Sequence, residues 1–264
     1  MGSFADVLDT LAPDGATYVI DAPEDWAQGR TLYGGMTAAL AHEAVRRTLG
    51  DLGQLRSAQF TFVGPASGRL RFEISLLRRG RSSALVAADC FNAEGLAARS
   101  VFVFGGARES KVAHDYLKAP AVAAPETVAS FRTEGANAPR GFWNNFETRL
   151  ASGGRLFDVS APRPAFSVWT RFLDLGPADP MTALLAIADC LPPAAMVHFP
   201  APAPISTMTW TVDVLAQPQS LEGWVLLHAS SEHAGDGYSM QSMMMWGADG
   251  APLAVGRQTV AIFA

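Results

Sequence analysis

Two apolar helical stretches, at 31–48 and 179–190, divide the chain, and each is followed by a run of long β-rich segments. This repeated order constrains the fold more than any other feature. The first stretch, TLYGGMTAALAHEAVRRT, has few polar residues before His42; the second is DPMTALLAIADC. A helix apolar on most sides needs burial on most sides. In the second, Asp179 suits an N-cap and Pro180 the first helical position, and Pro192-Pro193 stops it. After the first helix, 57–63, 69–78, 82–92 and 97–104 read as strands, broken at Gly64-Pro65, Gly80-Arg81 and Ala93-Glu94-Gly95. Strands at 142–150 and 165–173 precede the second helix, and 206–216, 223–233, 238–246 and 253–263 follow it. Long strands with short turns imply antiparallel meanders buried on one face.

The residues repeat as well as the order. Phe91-Asn92-Ala93-Glu94-Gly95 matches Trp246-Gly247-Ala248-Asp249-Gly250, and Leu40-Ala41-His42 matches Ile187-Ala188-Asp189. Duplication of a whole domain follows. The expected division is 1–107, a connector at 108–140, and 141–264. The connector holds Ala119-Pro120, Ala124-Pro125 and Ala138-Pro139. The expected class is α+β: two antiparallel sheets, each wrapped around a long apolar helix and fused edge to edge, which protects edge strands. Gly34 and Gly35 weaken the start of the first helix, so a close approach of a strand or ligand to the backbone is expected there.

Composition removes several classes of function. The net charge is −5, which argues against nucleic acid as a partner. Arg78, Arg79 and Arg81 read as a solvated turn, with a rim for phosphates as the alternative. Cys90 and Cys190 lie in no CxxC and no zinc spacing, so buried reduced thiols and no metal are expected. The first residues lack the basic start and apolar run of a signal peptide, and no apolar stretch reaches the roughly 18 residues that span a bilayer. A cytoplasmic protein without a membrane partner is the expectation. There is no GxSxG elbow, P-loop or dinucleotide fingerprint.

Several segments resemble the type II acyl-CoA thioesterases and the wider thioesterase-like double-hotdog family. Tyr33-Gly34-Gly35 followed by Leu40-Ala41 is similar to that family's helix opening, although many members carry His where Tyr33 stands. Ser167-Val168-Trp169-Thr170-Arg171 resembles its Val-Trp-x-Arg strand, and Leu184-Leu185-Ala186-Ile187-Ala188-Asp189 its second helix. Thr207-Met208-Thr209-Trp210-Thr211-Val212, Pro218, Trp224-Val225-Leu226-Leu227 and the run from Asp249-Gly250 to Arg257-Gln258 follow the family order. The resemblance implies a double hotdog that hydrolyses acyl-CoA to acid and CoA, needs no cofactor, and associates into homo-oligomers. It also implies that a water is held by Asp189, Thr207 and Gln258 of the second half. Period two would place Thr209 and Thr211 on the same side as Thr207.

The chemistry fits those residue types. A carboxylate can act as base or orient the water, a hydroxyl and an amide can fix it, and N–H groups at a helix start can stabilise an oxyanion. Asp189 is unusual in its own right: it ends an apolar helix, where the helix dipole disfavours negative charge. The plainer alternatives are a solvated helix-end Asp189, an exposed strand position for Gln258 and an ordinary β-branched residue for Thr207. In the first half His42 stands where Asp189 does, Ser57 lies near the counterpart of Thr207, and Val103, or Ser100 with a gap, stands for Gln258. That half is expected to be scaffold, though His42 with Glu43 could form a second acid–base site. His233-Ala234-Gly235-Asp236-Gly237 reads as a hairpin turn. Met240, Met243, Met244 and Met245 read as core packing or as an acyl lining. Two rival functions remain: a hydratase on the same fold, for which His42 is the candidate residue, and a non-catalytic acyl-CoA or lipid binder.

Overall fold

Alternation of small apolar and polar residues produces long strands, and in the computed structural model, which describes residues 2–132 and 141–263, they join into a single sheet. In chain order the elements are α1 (Phe4–Asp9), β1 (Ala12–Asp14), β2 (Thr17–Asp21), β3 (Ala27–Gln28), β4 (Thr31–Leu32) and α2 (Gly34–Leu49). Then come β5 (Leu55–Phe62), β6 (Arg69–Arg79), β7 (Ser83–Asn92) and β8 (Gly95–Gly105). The second half holds β9 (Phe146–Gly153), β10 (Ala165–Phe172), α3 (Pro180–Ala188), β11 (Ile205–Val214), β12 (Val225–Gly235), β13 (Tyr238–Gly247) and β14 (Pro252–Ile262). The large sheet has 12 strands in the order β1-β2-β6-β7-β8-β5-β11-β14-β13-β12-β10-β9, while β3 and β4 pair separately.

The halves meet where β5 pairs antiparallel with β11, Phe60 opposite Trp210 and Ala58 opposite Val212. The Phe60 and Trp210 rings stack at 5.0 Å on the inner face. Each half curls around its helix, as the double-hotdog expectation requires. Along α2 every residue from Gly35 to Val45 is buried, which explains its alanine-rich sequence. The two helices pack against each other antiparallel: the Tyr33 hydroxyl donates to the Ala186 carbonyl at 2.6 Å, and His42 Nδ1 lies 2.8 Å from Thr182 Oγ1.

Several boundaries differ from expectation. The first helix begins at Gly34, because Thr31 and Leu32 pair with Gln28 and Ala27 instead. The second spans only nine residues, so the expectation of a long apolar helix holds for α2 alone. Asp189 caps it with φ −97° and ψ 3°, and the Pro192-Pro193 pair prevents its extension. Phe142–Asn145 forms a 3₁₀ turn rather than the start of a strand. The described part of the connector crosses the outer face of the second half. There the Trp169 indole donates to the Ala123 carbonyl and the Trp246 indole to that of Leu117, each at 2.9 Å. The Ala138-Pro139 break lies outside the described residues. Among the described residues no helix is long and apolar enough to cross a membrane.

Asp179 is the N-cap of α3, accepting from the Thr182 N–H at 2.9 Å and from its hydroxyl at 3.1 Å. Asp179→Ala is expected to cost about 1 kcal/mol, seen as a fall in Tm of about 3 °C by scanning calorimetry.

Candidate active site

A carboxylate at a helix C-terminus sits against the negative end of the dipole. Asp189 is offset by the other half of the molecule, because the end of α3 abuts the start of α2, whose first N–H groups have no partner within the helix. A Cβ on Gly34 would lie 2.6 Å from Asp189 Oδ2, and one on Gly35 would lie 2.5 Å from the Ala186 carbonyl oxygen. The paired glycines therefore admit the close approach of α3 and its terminal carboxylate.

From the sheet, Gln258 Nε2 donates to Asp189 Oδ1 at 2.5 Å. Gln258 projects inward from β14 and is 4% exposed. Burial pushes the Asp189 carboxyl up to about 7, while the Gln258 amide and the Gly35 N–H draw it back part of the way. A group titrating there can both take and release protons near neutral pH.

Asp189, Gln258 and Thr207 line one cleft of about 850 Å³ between the halves. Phe62, Phe142, Trp143, Leu191, Ile205 and Met208 supply apolar wall, with exposed Arg30 and Glu94 among the lining residues. The structure thus brings the three expected residues together. Among the described residues no hydrogen bond ties Thr207 to Asp189 or Gln258, and Thr207 lines the cleft alongside them.

The expected equivalence of Thr207, Thr209 and Thr211 fails. A β-bulge at Met208 lies between Thr207, paired with Val260, and Thr209, paired with Thr259. The extra residue shifts the inward phase to Trp210 and Val212 and leaves Thr209 and Thr211 exposed. Only Thr207 of the three lines the cleft.

In the first half, Val86 opposite Phe102 copies the pairing of Gln241 opposite Gln258. The Phe102 and Phe104 rings lie 5.8 Å and 6.1 Å from that of His42. Phe102 thus takes the place of Gln258, whereas Val103 faces outward and Ser100 pairs with Ala88. His42 is buried, which lowers its pKa to about 4. Glu43 is held by Arg46 and Arg47 at 3.1 Å and 2.7 Å. The Arg78, Arg79 and Arg81 side chains are exposed at the β6–β7 turn and do not line the cleft. Met243 and Met245 are buried in the core, whereas Met240 lies on the other face of β13 and is exposed. His233 is exposed near the β12–β13 hairpin, whose turn residues Asp236 and Gly237 have φ of 52° and 79°.

Residues 22–105 match the acyl-CoA thioesterase N-terminal domain family and residues 120–262 the acyl-CoA thioesterase C-terminal domain family. No curated protein matches. A hot dog fold protein of unknown function from Alicyclobacillus acidocaldarius is 27% identical, with a TM-score of 0.86 over 98% of this chain and 97% of its own. The tesB protein of Mycobacterium avium subs paratuberculosis is 18% identical, with a TM-score of 0.80 over 99% and 100%. Acyl-CoA thioesterase II TesB2 of Mycobacterium marinum is 16% identical, with a TM-score of 0.75 over 97% and 96%. The last two likenesses concern the fold alone. With both of its domains matched, and the C-terminal match alone covering more than half of its length, the chain belongs to the acyl-CoA thioesterase family.

Proposed function

We propose that the protein hydrolyses acyl-CoA to free acid and CoA by direct attack of water, with Asp189 as general base and Thr207 and Gln258 holding the water. The observation that carries this is the Asp189 carboxyl, held near pH 7 in a cleft and gripped from the opposite half. One hydrogen of the Gln258 amide is on Asp189 Oδ1, leaving the second to donate to a water. The missing Cβ of Gly34 keeps Oδ2 open to that water. As the water oxygen bonds to the carbonyl carbon, Asp189 takes its proton. When the C–S bond breaks, that proton passes to the departing thiolate, so no cofactor is consumed. The N–H groups at the start of α2 other than that of Gly35, which have no partner within the helix, supply donors for the carbonyl oxygen as it gains charge. The first half acts as wall and oxyanion support and the second half holds the water. Arg30 offers a cation to the CoA phosphates.

Thiol release from a panel of short, long and aromatic acyl-CoAs tests this. Thr207→Ala is expected to lower kcat about 10- to 100-fold, and Thr209→Ala to leave it within about two-fold, because an exposed strand position is generally neutral. Tight binding of acyl-CoA with no thiol release would leave a binding protein instead. Equal losses in both variants would move the water to the other side of the bulge.

A further inference from the structure

Gln241 reaches the cleft chemistry without lining the cleft. It is 1% exposed, projects inward from β13 and stands directly opposite Gln258 in the β13–β14 register. Its Oε1 accepts from the Ala194 N–H at 2.7 Å, and its Nε2 donates to Gln258 Oε1 at 2.7 Å. Ala194 opens the 3₁₀ turn Ala194–His198 that follows Pro192-Pro193, so its N–H has no carbonyl of that turn to bond.

This chain has a direction. An N–H can only donate, so Ala194 fixes which end of the Gln241 amide faces it. The other end of Gln241 is then a donor, which fixes Gln258 Oε1 toward Gln241 and Gln258 Nε2 toward Asp189. Turned the other way, Gln258 would set a carbonyl oxygen against a carboxylate. We infer that Gln241 is a positioning residue, which locks the amide of Gln258 so that an N–H rather than a carbonyl oxygen faces Asp189.

The inference rests on Asp189 being the base, as proposed above. The other titratable groups against Asp189 are Tyr33, at the start of α2, and Cys190, next in the chain; burial raises both, so each is neutral while Asp189 titrates. Arg30 and Glu94 are the charged residues that line the cleft, and Gln241 variants leave them untouched. Loss of the lock removes a donor from the ionised carboxylate and raises its pKa.

The test is the pH profile of kcat/KM for acyl-CoA hydrolysis, alongside a carbon-13 NMR titration of the Asp189 carboxyl, in Gln241→Met. This variant keeps the volume and removes both hydrogen-bonding groups. The rising limb is expected to move up by about one pH unit, lowering turnover about five-fold at pH 7 and little at pH 9, with KM unchanged. Gln241→Asn keeps a polar group beneath Ala194 but is too short to span both partners. It serves if the Met variant does not fold, and the same direction of shift is expected. In a Gln258→Leu background, Gln241→Met should move the limb no further. A limb and an Asp189 titration that stay at their wild-type positions in a folded variant would overturn the inference, as would an equal drop at every pH. Asp189→Asn separates the two levels: if it retains turnover the base assignment fails, and if it is inactive while the Gln241 limb stays fixed, only the positioning role fails.

Discussion

Asp189→Asn is expected to lower kcat/KM for acyl-CoA hydrolysis about a thousand-fold, the usual contribution of a well-placed general base. The amide is nearly isosteric and can still accept from Gln258 Nε2 through its oxygen, so that contact survives while the base is lost. Wild-type kcat/KM should rise with pH through about 7, where the carboxyl gains its charge. Stability should move the other way. The folded-state pKa lies above the unfolded value, so the folded protein binds the extra proton between pH 4 and 7, and stability falls as pH rises through that window. Above pH 7 the wild type carries a charge that burial disfavours, and the Asn variant does not. The variant is expected to be more stable by about 2 kcal/mol at pH 8, allowing for screening by water in the cleft, which is about 5 °C in Tm. The gain should vanish toward pH 4. Thermal melts at pH 4 and pH 8 with the two proteins side by side measure it; an identical Tm at both would mean that Asp189 is solvated and ordinary.

The strands were legible because their ends carry Gly and Pro and some interiors alternate, as the first part of Arg69–Arg79 does, while Tyr238–Gly247 was marked by the glycine turns at its two ends. The helices were legible from apolar content, and Asp179 as a cap from its type and place before Pro180. Residues that depend on contacts between the halves were not. Gly34 and Gly35 signal a close approach, but nothing nearby in sequence says that Asp189 and Ala186 are what approaches. The bulge at Met208 has no sequence marker, so period two misassigned Thr209 and Thr211. The segment before Thr31 went unread, because short strands such as Thr17–Asp21 and the helix Phe4–Asp9 lack the length for a period to show. Gln241 could have been found. With Ser239, Met243 and Met245 it occupies the buried face of β13, and a lone amide among methionines must have buried partners.

Gly35→Ala is expected to destabilise the protein by about 3 kcal/mol, near the upper end for overpacking, which is about 6 to 10 °C in Tm for a chain of this size. Helix propensity alone predicts the opposite, since Ala is favoured over Gly in a helix by about 1 kcal/mol. Space decides against propensity. The added methyl would stand 2.5 Å from the Ala186 carbonyl oxygen and 2.5 Å from the Tyr33 hydroxyl, which are themselves hydrogen-bonded to each other. Neither can yield easily: Ala186 is backbone inside α3, and the Tyr33 ring is stacked on Phe142 at 4.1 Å. Relief must come from moving α3 away from α2, which carries Asp189 with it and should lower turnover as well as Tm. Gly34→Ala is the informative contrast. Its methyl would meet the Asp189 carboxylate at 2.6 Å and the Phe62 ring at 3.2 Å, both side chains at the cleft. Turnover should then fall while most of the stability remains. If Gly35→Ala melts at or above the wild-type temperature, the helices are not in the contact that brings Asp189 to the start of α2, and the cleft loses the feature that tunes its carboxylate.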